Sequence, residues 1–137
     1  MARIVVQYEH DDHFHVEIGK HGLVTDQPFE DGGDDLGPTP VELFVASLAA
    51  CIGFYAERFM RRHDIDTGGL GVRCDFTMSE ERPARVAEIG VCVDLPEGFP
   101  EDRRPVLMRV IEACTVHNSM RQPPVVRIET KARRHVA

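Results

Sequence analysis

Apolar and polar residues alternate twice near the start of the chain, in Arg3 to Tyr8 and again in His13 to Ile18. A period of two puts alternate side chains on opposite faces of a pleated strand, and the polar Glu9-His10-Asp11-Asp12 between the runs makes the pair a hairpin. A third extended piece follows around Leu23 to Thr25. The stretch Asp31-Gly32-Gly33-Asp34-Asp35-Leu36-Gly37-Pro38 has the composition of a surface loop. Thr39 then stands where a helix N-cap belongs and Pro40 at the first helical position, so a long helix is expected from about Val41 to Arg62.

The apolar positions of this helix do not form a single stripe. Leu43, Phe44, Val45, Leu48, Ile52 and Phe54, with alanines at 46, 49, 50 and 56, spread around nearly its whole circumference. A helix apolar on every side must be covered on every side. A chain of 137 residues has too little mass to do this alone, so a second copy is expected to complete the cover.

Beyond the turn at Gly68-Gly69 the period returns to two. Gly71 to Thr77 places Val72, Cys74 and Phe76 on one face, and Ala87 to Leu95 places Ile89, Val91, Val93 and Leu95 on one face. The charged segment Ser79 to Arg85 links them. A helix is expected over about Pro105 to Cys114, and a closing strand over Val125 to Arg133, entered through Pro123-Pro124. Strands then helix, twice over, describe an α+β arrangement and a single domain spanning 1–137 rather than a βαβ repeat.

Hydrophobic residues at 42% and charged residues at 28% are those of a soluble globule. Sixteen basic against 23 acidic residues leave a formal charge of −7, so nucleic acid is not an expected partner. The N-terminus shows no apolar signal core, and the longest uncharged apolar run, Leu43 to Ala56, is too short to span a bilayer. A cytoplasmic protein without a membrane partner is expected. No GxGxxG, P-loop, GxSxG or HExxH is present, and no cofactor is expected. His10, His13 and His15 have the spacing of a strand chelate, but no cysteine or carboxylate spacing completes a tetrahedral set, so no metal site is expected.

Four cysteines, at 51, 74, 92 and 114, show no CxxC pairing and read as thiols in a reducing compartment. Cys74 and Cys92, each within a strand, read as packing residues. On spacing alone Cys51 and Cys114 read the same way, a reactive pair being the other reading.

The segment Gly37-Pro38-Thr39-Pro40-Val41-Glu42-Leu43-Phe44-Val45-Ala46-Ser47-Leu48-Ala49-Ala50-Cys51 resembles the central-helix motif of the OsmC/Ohr family, the osmotically inducible and organic hydroperoxide resistance proteins. Ala113-Cys114-Thr115-Val116-His117-Asn118-Ser119 resembles its second motif, in which a cysteine ends a helix and a short turn follows. The resemblance implies an OsmC-like fold, an intertwined homodimer whose long central helices are wrapped by antiparallel sheets. It also implies a thiol peroxidase. Cys51 would reduce an organic hydroperoxide and become a sulfenic acid, Cys114 would convert it to a disulfide, and a dithiol reductant would reopen that bond. An apolar lining from Phe44, Leu48, Ile52 and Tyr55 would favour organic substrates over hydrogen peroxide.

Two features depart from the family pattern. The helix glutamate of the family's peroxidases falls on Val41; Glu42 stands next to it, nine positions before Cys51 and so roughly on the opposite side of a regular helix. The loop where an arginine is expected reads Glu9-His10-Asp11-Asp12-His13. A peroxidatic thiol needs a positive neighbour or helix amides, and His10, His13 and His117 are the candidates to replace the arginine. Arg58 shares the face of Cys51 but stands two turns away, about 10 Å. The alternative reading is a dimer of the same fold, without peroxidase activity, that binds an apolar or thiol-reactive small molecule.

Overall fold

The computed structural model describes residues 3–134. Along the chain it forms β1 (Ile4–His10), β2 (His13–Ile18), β3 (His21–Thr25), α1 (Pro40–Arg62), β4 (Gly71–Met78), β5 (Val86–Asp94), α2 (Arg104–Glu112) and α3 (Thr115–Arg121). The strands make an antiparallel sheet in the order β1-β2-β3 and an antiparallel β4-β5 pair. His10 pairs with His13, leaving a two-residue turn in which Asp11 takes a φ of 48°, the left-handed conformation such turns require.

A reciprocal capping box fixes the start of α1. The Glu42 amide donates to Thr39 Oγ1 at 3.1 Å, and the Thr39 amide donates to Glu42 Oε1 at 2.9 Å, while Pro40 supplies a preset φ at the first turn. Leu48, Ile52, Ala56, Phe59 and Met60 then bury one stripe of the helix against Leu107 and Ile111 of α2, Phe99 and Cys114. Val72, Ile89 and Val93 of the β4-β5 pair pack on the same cluster. The rest of α1 is less well covered, with Phe44 and Phe54 about half exposed. One chain buries one face of a helix that is apolar on several.

The β1-β2-β3 sheet presents a comparable face. Register places Ile4 beside Ile18, Val6 beside Val16 and Tyr8 beside Phe14, so these side chains share one side of the sheet. Ile4, Val6 and Tyr8 are each more than half exposed.

Two expectations change. Among the described residues the segment from Val125 to Arg133 pairs with no strand, and Val125, Val126 and Ile128 are strongly exposed. A period-two pattern selects faces, whereas a strand exists only where a neighbouring edge accepts its hydrogen bonds. The second helix ends at Glu112, and Cys114 opens a further helix, α3, where a short turn was expected.

Candidate functional site

Cys51 lies mid-way along α1, half-buried on the flank of its packed stripe. Cys114 is fully buried in the step between α2 and α3. Its amide donates to the Ile111 carbonyl at 3.2 Å, and its own carbonyl accepts the Asn118 amide at 2.9 Å, so the backbone is held from both helices. Cys51 packs against the buried cluster that contains Cys114, close enough for its thiol to bear on the ionisation of the other. The structure thus brings together the two cysteines of the sequence motifs.

Burial pushes the Cys114 thiol above its usual range, and the neighbouring Cys51 thiol adds to that. The amides of Val116 and His117, in the first turn of α3, act in the opposite direction by favouring a thiolate, though neither makes a capping hydrogen bond of good geometry.

Tyr55 and Thr115 tie the cysteine-bearing segments together. Tyr55 is one turn beyond Cys51, Thr115 follows Cys114, and their hydroxyls meet at 2.8 Å. The sequence marks Tyr55 only as an apolar lining residue and Thr115 only as part of the second motif, because contact between α1 and α3 depends on how the helices pack.

The candidate substitutes for the missing arginine are engaged elsewhere. His117 Nδ1 donates to the Glu112 carbonyl at 2.9 Å, and Arg121 donates to the same oxygen, so together they close the end of α2. His10 stacks on His13 with ring centroids 4.3 Å apart. His13 is buried, with Nε2 3.1 Å from Asp26 and 3.0 Å from Asp34. Glu42 is taken up in the capping box, and Arg58 lies over the Phe54 ring at 4.8 Å.

His13, Asp26 and Asp34 form a cluster that sequence spacing did not reveal, since three separate segments supply it. Their ligand atoms lie within 4.8 Å of one another, a set that could hold a metal ion. Burial pushes the Asp26 carboxyl up, but the amides of Gln27, Leu36 and Asp34 and the His13 ring outweigh it and hold the group below its ordinary value. The cluster pins the loop before α1 to β3. Gly33 and Gly37 make the close approach feasible, because a Cβ at either would fall 2.0 Å from the carbonyl oxygen of Gln27 or Val24.

Of the remaining cysteines, Cys74 faces the helices and burial pushes its thiol up. Cys92 is exposed rather than packed, 3.3 Å from the Arg73 guanidinium that also grips Asp94. An alternating strand has two faces, and Cys92 is on the outer one.

A cavity of about 1060 Å³ opens between α1, β5, α2 and α3, with Phe44, Leu48, Ile52, Met108 and Met120 among its apolar walls. Neither Cys51 nor Cys114 lines it. Tyr55 belongs instead to a smaller cavity of about 410 Å³, between the C-terminal half of α1 and α2.

The family model described as OsmC-like protein matches residues 32–129. The chain belongs to the OsmC-like family. Solved structures of the same fold include a protein of Psychrobacter arcticus proposed to act in osmotic stress and detoxification, with 21% identity, TM-score 0.79, and coverage of 87% of this chain and 88% of that one. An OsmC-like protein of Mycoplasma pneumoniae aligns at 16% identity and TM-score 0.76 over 90% and 89% of the two chains. The organic hydroperoxide resistance protein OhrB of Bacillus subtilis aligns at 16% identity and TM-score 0.64 over 90% and 92%. No curated protein matches the sequence. By length and composition α1 would suffice to cross a membrane, and in this fold its buried stripe forms the core.

Proposed function

We propose that this protein is a thiol peroxidase that reduces organic hydroperoxides. The observation that carries the reading is that Cys51 of α1 packs against the buried cluster that contains Cys114, so the cysteines of the two motifs are brought together. In the proposed cycle the Cys51 thiolate attacks the terminal peroxide oxygen, forming an S–O bond as the O–O bond breaks. The alkoxide leaves with a proton as an alcohol, and Cys51 carries a sulfenic acid. The Cys114 sulfur then attacks the Cys51 sulfur, water departs, and a disulfide closes. A dithiol reductant supplies two electrons and two protons by exchange and restores both thiols. The amides of Val116 and His117 favour the anionic form of Cys114 in the resolving step.

The working unit in this reading is a homodimer in the cytoplasm. Support comes from the exposed Ile4, Val6 and Tyr8 on one sheet face, the half-exposed Phe44 and Phe54 on α1, and the fact that OsmC/Ohr proteins are dimers. The single-domain reading of 1–137 is likewise part of the proposal.

A second reading, a dimer that binds an apolar or thiol-reactive small molecule without turnover, is favoured by one observation. The 1060 Å³ cavity, walled in part by apolar side chains, excludes both thiols. Stopped-flow mixing of the reduced protein with cumene hydroperoxide, followed by mass spectrometry of quenched samples, separates the two. Rapid formation of a Cys51–Cys114 disulfide, abolished in Cys51→Ser, supports the peroxidase. Oxidation no faster than that of a free thiol supports the binding protein.

A further inference from the structure

We infer that His13, Asp26 and Asp34 form a binding site for one divalent transition-metal ion, and that the chemistry of the donors selects Zn²⁺. The first residue of β2 supplies the imidazole, the residue after β3 one carboxylate, and the loop before α1 the other. His13 Nε2 lies 3.1 Å from Asp26 Oδ2 and 3.0 Å from Asp34 Oδ2. A tetrahedral centre with bonds of about 2.0–2.1 Å spaces its ligand atoms roughly 3.3 Å apart, close to both separations.

Hydrogen bonding accounts for only part of this convergence. Nε2 carries at most one hydrogen, and that direction is taken by the bond to Asp34. Asp26 Oδ2 faces the same nitrogen at 3.1 Å with no second hydrogen to place between them. A cation among the three atoms meets all of them at once. Asp26 is already oriented for it, since Oδ2 accepts the Asp34 and Leu36 amides at 3.2 and 3.1 Å and Oδ1 accepts the Gln27 amide at 2.7 Å. Ligating carboxylates are held by outer hydrogen bonds in the same way.

The balance of charge points to a cation as well. Asp26 is completely buried, and its backbone amides keep it ionised. Among the described ion pairs no lysine or arginine reaches Asp26 or Asp34. A protonated His13 would supply one positive charge against two negative ones, and buried charge of this kind is costly without a partner. Imidazole beside carboxylate suits Zn²⁺, whereas Mg²⁺ and Ca²⁺ take oxygen ligands. The Asp34 side chain is 55% exposed, so water reaches a fourth coordination position.

All three ligands come from one chain. Alternation along β2 turns His13 away from the side of Phe14, Val16 and Ile18, and none of the three residues belongs to α1. A bound ion would join β2, the end of β3 and the loop that leads to Thr39, bracing the start of α1. The thiols take no part, so the site stands or falls separately from the peroxidase reading.

Titration calorimetry of Zn²⁺ and Mg²⁺ into the chelator-treated full chain, with thermal melts, tests the site. The expected result is saturable binding of one Zn²⁺ per chain with Mg²⁺ at least ~tenfold weaker, and a melting midpoint raised by ~5 °C or more in excess Zn²⁺. Asp34→Asn keeps the backbone amide that Asp26 accepts and should weaken Zn²⁺ at least ~tenfold and abolish the thermal shift, with circular dichroism checking its fold. Asp35→Asn, on the neighbouring residue, and the Cys51→Ser, Cys114→Ser double variant should bind as the wild type does. No saturable Zn²⁺ binding, equal binding of Mg²⁺, an unchanged affinity in Asp34→Asn, or binding lost with the two thiols would overturn the assignment.

Discussion

The Tyr55 hydroxyl meets the Thr115 hydroxyl at 2.8 Å, joining the helix that carries Cys51 to the residue that follows Cys114. This oxygen pair is a polar tie between the two segments that carry the cysteines. Tyr55→Phe keeps the ring and removes the tie. The expected cost is about 0.5–1.5 kcal/mol in urea unfolding, with slower closure of the Cys51–Cys114 disulfide after oxidation. A disulfide formed at the wild-type rate would show that packing alone holds the segments in place.

Glu42 is a capping residue in this chain. Thr39→Ala should cost about 1 kcal/mol of stability, because the Glu42 amide loses its acceptor. Glu42→Gln preserves both hydrogen bonds of the box and should change stability little. It should also leave the rate of hydroperoxide reduction unchanged. A large rate loss in that variant would assign Glu42 a role at the thiol despite its position in the first turn.

The Cys114 thiol should become easier to ionise when Cys51 is removed. Burial remains in Cys51→Ala, but the raising influence of the neighbouring thiol is gone while the amides of Val116 and His117 still favour the thiolate. The pH profile of Cys114 alkylation, read by mass spectrometry in mild denaturant and in buffer, should move to lower pH in the native variant. An unmoved profile would mean that burial alone sets the reactivity of this thiol.

Much of the fold was legible from periodicity and caps. The hairpin of β1 and β2, the Thr39-Pro40 start of α1 and the alternation of β4 and β5 are encoded within a few residues of where they act, and each formed where the pattern placed it. What stayed hidden depends on neighbours distant in sequence. Asp26 and Asp34 become partners of His13 only after the loop folds back on β3. Tyr55 meets Thr115 only once α1 and α3 pack, and the Val125 to Arg133 pattern had no means of specifying an edge to pair with.

Asp26 links that loop to acid stability. Its folded carboxyl is held below the ordinary value, so the ionised form contributes stability above the unfolded pKa of about 3.9, and the contribution is lost as pH falls through the folded value. Thermal melts of Asp26→Asn should show a lower midpoint at neutral pH, with the gap to the wild type closing below about pH 4. A gap that persists unchanged in acid would mean that the side chain acts through shape and not through charge.

The exposed face of the first sheet gives the sharpest test of assembly. Val6 sits between Ile4 and Tyr8 on β1, opposite Val16, and more than half of its surface is open within one chain. If a second copy covers this face, Val6→Asp buries an unpaired carboxylate at the contact, and dimerisation should weaken by two orders of magnitude or more, on the order of 3 kcal/mol. Within a monomer the same substitution lies on an open surface and should cost little. Sedimentation equilibrium of wild type and variant therefore separates the cases: a dimer that becomes a monomer places the face in the interface. If both proteins sediment as dimers with equal dissociation constants, the interface is elsewhere, with the open flank of α1 around Phe54 as the next surface to substitute.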